Sequence, residues 1–149
     1  MIKNYFFNEF VKNKESYPDR IAVEDKNGKY TYKEIWKKSI YLSKGLINYG
    51  VRKGDRVGIY MENSVEFVIC TIAIMAISAV FVPISLKYPS KRIANIIDNC
   101  EFKLILTTFD VPKNVYCSNL YFQIKQVSDL KQKSEDWFLE EIKKSILIV

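Results

Sequence analysis

Few residues in this chain are of the kinds that do chemistry, and what is missing limits the choices as much as what is present. There is no histidine among the 149 residues. Neither a Ser–His nor a Cys–His nucleophile pair can therefore form, and the usual His-bearing metal sites are excluded. Carboxylates occur as the adjacent pairs Glu24/Asp25 and Glu140/Glu141, which read as solvated surface rather than a poised acid and base. Cys70, Cys100 and Cys117 are far apart and odd in number, the pattern of reduced thiols in a cytoplasmic protein. A loop that cradles a phosphate needs glycines for close backbone approach, yet Gly28, Gly45, Gly50, Gly54 and Gly58 are all the chain has, and none follows residue 58. From residue types alone, no catalytic, cofactor-binding or metal residue is assigned.

The elements that would position any site follow a regular rhythm. A short helix over 2–14, with Phe6, Phe7, Phe10 and Val11 on one side, stops before Pro18. Ile21–Asp25 and Lys29–Tyr32 flank Asn27-Gly28, a strong hairpin signal. Thr31 and Glu34 have capping-box spacing, and apolar residues from Ile35 to Ile47 then lead to Gly50, predicting a capped helix. Strands are expected at Arg56–Met61, Val80–Pro83 and Lys103–Thr107, separated by a helix from Val65 to about Ser78, with Asn63 as N-cap, and by a helix that opens near Pro89. Such alternation defines α/β architecture with a mostly parallel sheet, flanking helices and an N-terminal β-hairpin. Weaker signals predict a strand at Tyr121–Ile124, a helix at Glu135–Lys144 and a strand at Ile146–Val149.

One segment, NSVEFVICTIAIMAISAVFVPIS at 63–85, is apolar enough to suggest a membrane span. A span needs about 20 residues in one helix, but Pro83 interrupts this run and Val80-Phe81-Val82 changes its character. It reads instead as a crossover helix followed by a buried parallel strand, with Ala76 and Ala79 packed at the junction, and no membrane association is expected. The net charge of +6 lies in the first third, where residues 1–56 hold 13 basic and 7 acidic residues. Those lysines are scattered rather than gathered in a run, so solvated surface is expected and not nucleic-acid binding.

Five segments in this order resemble the AMP-forming adenylate-forming ligases (AMP-dependent synthetase/ligase), especially their amino-acid-adenylating branch. Pro18-Asp19-Arg20-Ile21-Ala22-Val23 resembles the first strand of that family, and Tyr30 to Ile35 its Leu-Ser/Thr-Tyr-x-Glu-Leu box. Gly50 to Val57 is similar to the Gly-Val-x-x-Gly-Asp-x-Val turn, and Ala76 to Ile84 to the Ala-Gly-Ala motif ending in Val-Pro. Tyr88-Pro89-Ser90-Lys91-Arg92-Ile93 resembles the Tyr-Pro-x-x-Arg-Ile helix. Ser78 stands where glycine is usual, read as tolerated packing, and Ser85 where aspartate is usual.

The resemblance implies an ATP- and Mg-dependent ligase that forms an acyl-adenylate and pyrophosphate, then passes the acyl group to a thiol. It implies that Ser145–Val149 is a strand leading into a Ser/Thr/Gly-rich loop with its lysine, and that the adenine and carboxylate pockets and the catalytic lysine lie further on. Residues 1–149 are then a single truncated N-terminal subdomain, best matched over 18–107 and weakly over 108–149. The expectation is part of an enzyme that adenylates an amino acid or other carboxylate, inactive alone. The alternative is a non-enzymatic remnant that binds a partner. Expected partners are the remainder of the enzyme, a carrier protein, or another copy through an exposed strand edge. The resemblance implies a role for Arg92, because some relatives in the CoA-ligase branch place an Arg at this position near the phosphate of the thiol acceptor, and a guanidinium suits that dianion. The plainer reading of Arg92 is a surface pairing with Asp98 or a helix neighbour.

Overall fold

A computed structural model describes residues 4–108 in full and the backbone of 121–123. Its elements run α1 (Tyr5–Ser16), β1 (Ile21–Asp25), β2 (Gly28–Thr31), α2 (Tyr32–Tyr49), β3 (Arg56–Tyr60), α3 (Val65–Ala76), β4 (Val80–Pro83), α4 (Ser90–Cys100), β5 (Leu104–Thr107) and β6 (Tyr121–Gln123). The expected helix at 135–144, the strand at 146–149 and Cys117 lie outside the described residues.

β1 and β2 form the expected antiparallel hairpin, shifted so that Tyr32 opens a helix instead of ending a strand. Thr31 explains the shift. Its extended backbone ends β2 while its hydroxyl accepts from Glu34 N–H at 3.2 Å, and Glu34 Oε2 accepts from Thr31 N–H at 2.9 Å. This reciprocal pair satisfies two of the donors that a helix start leaves open.

The second sheet is parallel, in the order β4-β3-β5-β6. From β3 the chain crosses over α3 to β4 on one side, then over α4 to β5 on the other side of β3. Right-handed crossovers in opposite directions place their helices on opposite faces. The core divides accordingly. Val57, Ile59, Leu104 and Leu106 pack with residues of α2 and α3, while Tyr60 and Ile105 pack with Ile93 and Ile97 of α4. The two-residue period of the strands produces this division.

Several expectations are corrected. The N-cap of α3 is Ser64, not Asn63: Ser64 is extended and its Oγ accepts from Phe67 N–H at 3.4 Å. α3 ends at Ala76 because Ser78 takes a left-handed backbone with φ 58°. Ser78 is exposed, so the usual glycine at this position answers a backbone demand and not a packing one. Ala76 and Ala79 are half-buried rather than buried. β4 is an edge strand among the described residues, with Val80 47% exposed, whereas β5, between two neighbours, is buried at all four positions. Central placement makes a strand inaccessible on both faces, and the sequence alone does not reveal strand order. No helix among the described residues is long and apolar enough to cross a membrane.

Candidate functional site

In an open parallel sheet, ligands bind beyond the carboxyl ends of the strands, where neighbouring strands send their connections to opposite sides. Here that point lies between β3 and β5. Tyr60 and Thr107 are register partners at their carboxyl ends, 6% and 1% exposed. Burial pushes the Tyr60 phenol above its ordinary pKa, so at neutral pH it stays protonated and acts as a hydrogen-bonding group, not a nucleophile. Tyr60 packs in one cluster with Ile84, which begins the β4–α4 loop, while Leu86 and Tyr88 flank that cluster.

Arg92 lies in the first turn of α4 and is exposed, its guanidinium 4.2 Å from the centre of the Tyr88 ring. It does not pair with Asp98. Six residues along a helix is about 240° of rotation, which points the two side chains to different faces. Tyr88 therefore links Arg92 to the Tyr60 cluster, an arrangement that would leave the guanidinium edge open for an anion.

The βα turn after β3 argues against a phosphate there. A helix N-terminus in that position is an anion site when its N–H groups are open. At α3 they are taken: Val65 N–H donates to Asp25 Oδ2 at 3.0 Å, and Phe67 N–H to Ser64 Oγ. Asp25 is thus not merely solvated surface. Desolvation works to raise its pKa, but hydrogen bonds from the Val65, Asn27 and Gly28 N–H groups and the charge of Lys26 outweigh it, and the carboxyl titrates below its ordinary value. A fixed negative charge already occupies the position a phosphate would need. The β3–α3 and β4–α4 turns also contain no glycine.

Sequence reasoning singled out Arg92 and missed Tyr60, Thr107 and Asp25. The signal for the first two is strand order, which local sequence does not carry. For Asp25 it is a contact with a residue forty positions away. Cys70 is fully buried, and burial together with the Glu66 charge holds its thiol protonated and inert. Cys100 is half-buried and free.

A parallel sheet whose connections leave to opposite sides at a switch point is an architecture that serves nucleotide and small-molecule enzymes. A family model described as AMP-binding enzyme matches residues 10–147, and the chain belongs to that family. Tyrocidine synthase 1 of Brevibacillus parabrevis is 34% identical over 107 residues, 72% of this chain and 10% of that protein. Gramicidin S synthase 2 of Brevibacillus brevis is 36% identical over 98 residues, 66% of this chain and 2% of that protein. Among solved structures, the N-terminal subdomain of Klebsiella oxytoca NpsA in complex with 3-hydroxybenzoyl-AMSN superposes with TM-score 0.69 at 24% identity, over 91% of this chain and 31% of that one. A coronafacic acid ligase from Pectobacterium brasiliense gives TM-score 0.65 at 29% identity, over 68% and 20%. The chain thus spans a small part of the curated relatives it matches and about a third of the NpsA subdomain.

Proposed function

We propose that these 149 residues build the N-terminal wall of an enzyme that adenylates an amino acid with ATP, and that they do not catalyse the reaction by themselves. One observation carries the second half of this reading: the βα turn nearest the strand switch point is glycine-free, and its helix N-terminus is closed by Asp25. Adenylation needs a cradle for a triphosphate and a cation at the developing charge, and that preorganised electrostatics is usually the largest catalytic contribution. The amino-acid branch is supported by the identity with two peptide synthetases over about two thirds of the chain or more. ATP and Mg belong to the complete site, to which Tyr60 and Thr107 contribute a buried hydrogen-bonding edge. Arg92 is proposed as the contact for a phosphate on the thiol acceptor.

The test is a graft in which residues 10–147 replace the matching segment of the tyrocidine synthase 1 adenylation domain. Amino-acid-dependent ATP–pyrophosphate exchange retained by the folded graft supports the reading. A graft with native circular dichroism and no exchange argues against it.

A second reading, a partner-binding module, is favoured by β4, which among the described residues is an edge strand with Val80 exposed, since an open strand edge is a template for another strand. Sedimentation of the pure chain at tens of micromolar distinguishes the two, since a clean monomer counts against association through this edge.

A further inference from the structure

We propose that the outward face of α2 is a docking surface for an acidic protein segment. At 100° per residue, Lys33, Lys37 and Lys44 lie within about 40° of one another around the helix and span about 17 Å along it. All three are exposed, and they sit opposite the stripe of Ile35, Ser39, Leu42 and Leu46 that faces the core. Tyr41 and Ile47, 38% and 44% exposed, flank them, and Lys44 lies over the Tyr41 ring with Nζ 5.8 Å from its centre. The one acid of α2, Glu34, is turned into the capping box at Thr31. Neither Lys33 nor Lys37 is ion-paired with an acid among the described residues.

Helix stability does not account for this pattern. Lys33 and Lys37 are like charges four apart, a spacing that destabilises a helix. Lys33 also lies in the first turn, where the helix dipole disfavours a cation, while the last turn, where a lysine would help, has no basic residue. Charges placed against both local rules, on the surface of a helix whose packing face is regular, point to something outside the molecule.

The face suits carboxylates on a protein better than phosphates. Recognition of phosphates favours the two-pronged guanidinium, and α2 carries no arginine. Ile47 adds an apolar contact beside the lysines, as found where a buried centre is ringed by charge in protein interfaces. An acidic helix with carboxylates at i, i+4 and i+11 would meet all three ammonium groups in register. This inference is independent of the adenylation reading.

The probe is labelled poly-L-glutamate, titrated by fluorescence anisotropy against the chain at low and at physiological salt. Lys33→Glu/Lys37→Glu should weaken binding by about tenfold or more, because reversing two charges at the contact acts locally. The control Lys87→Glu/Lys91→Glu changes net charge equally and should shift affinity far less. The milder Lys33→Gln/Lys37→Gln should weaken binding while leaving the denaturation midpoint unchanged or raised, which separates lost docking from lost folding. Equal weakening by the α2 and control pairs would reduce the effect to net charge and overturn the proposal. So would tighter binding of a short DNA duplex that is lost with the same α2 variants.

Discussion

Gly50 and Ser78 close neighbouring helices with the same turn. Both are left-handed, at φ 105° and 58°. Gly50 N–H donates to Ile47 O and Val51 N–H to Leu46 O, while Ser78 N–H donates to Met75 O and Ala79 N–H to Ile74 O. This pairing satisfies carbonyls that a helix end leaves open, and it requires a residue that tolerates positive φ. One end has glycine for that role and the other does not.

Ser78→Gly should therefore stabilise the chain by about 1 kcal/mol, since a side chain in the left-handed region costs about 1–2 kcal/mol. Gly50→Ala should destabilise by a similar amount. Urea denaturation checks both, and a lower midpoint for Ser78→Gly would contradict the backbone explanation.

Gly58→Ala should cost about 1–3 kcal/mol by overpacking. A methyl there would lie 2.9 Å from Cγ1 and 3.3 Å from Cγ2 of Ile105, which is fully buried between β3 and α4. The double variant with Ile105→Ala should lose less than the sum of the single losses, the mark of a direct clash. Additive losses would place the strain elsewhere.

Asp25→Ala should cost about 0.5–2 kcal/mol at neutral pH, the usual range for a lost helix cap. The folded-state pKa of Asp25 is lowered from an ordinary value of 3.8. Its contribution is therefore complete above that value and disappears as pH falls through the lower folded value. Denaturation curves of wild type and variant should converge as pH falls through the lowered folded value of Asp25, on the acid side of the ordinary carboxylate range. A gap that persists unchanged in acid would show that the carboxylate charge is not what holds α3 to the hairpin.

Ser39 Oγ is fully buried in α2 with no hydrogen-bond partner among the described residues. Ser39→Ala should leave the midpoint unchanged or raise it, because an unsatisfied buried hydroxyl costs about 1–3 kcal/mol. A clear loss of stability would reveal a partner for that hydroxyl.

What local sequence could show is what local physics decides. The capping box at Thr31/Glu34, the turn at Asn27-Gly28 and the alternation of strand and helix depend on residues within a few positions of each other. The order β4-β3-β5 does not, so the exposure of Val80, the burial of Thr107 and the meeting of Tyr60 with Thr107 at the sheet's carboxyl edge were hidden. Ser78 was legible as a departure from glycine, but its reason lay in a φ angle that no composition records. Arg92 was legible as a cation, whereas its seat on Tyr88 depends on how the β4–α4 loop folds.

In the grafted enzyme, Arg92→Ala should slow transfer to a phosphate-bearing thiol more than it slows ATP–pyrophosphate exchange, with the loss appearing mainly in KM for the thiol. Equal losses in both half-reactions would remove Arg92 from the acceptor side.

The central claim is that catalysis needs a phosphate-binding segment that these 149 residues do not hold, and amino-acid-dependent ATP–pyrophosphate exchange by the purified chain tests it most directly. Across the twenty amino acids and D-alanine, exchange should not rise above a heat-inactivated control. Exchange clearly above that control would contradict the account and would mean that the strand ends around Tyr60 and Thr107 assemble a nucleotide site without a glycine-rich loop.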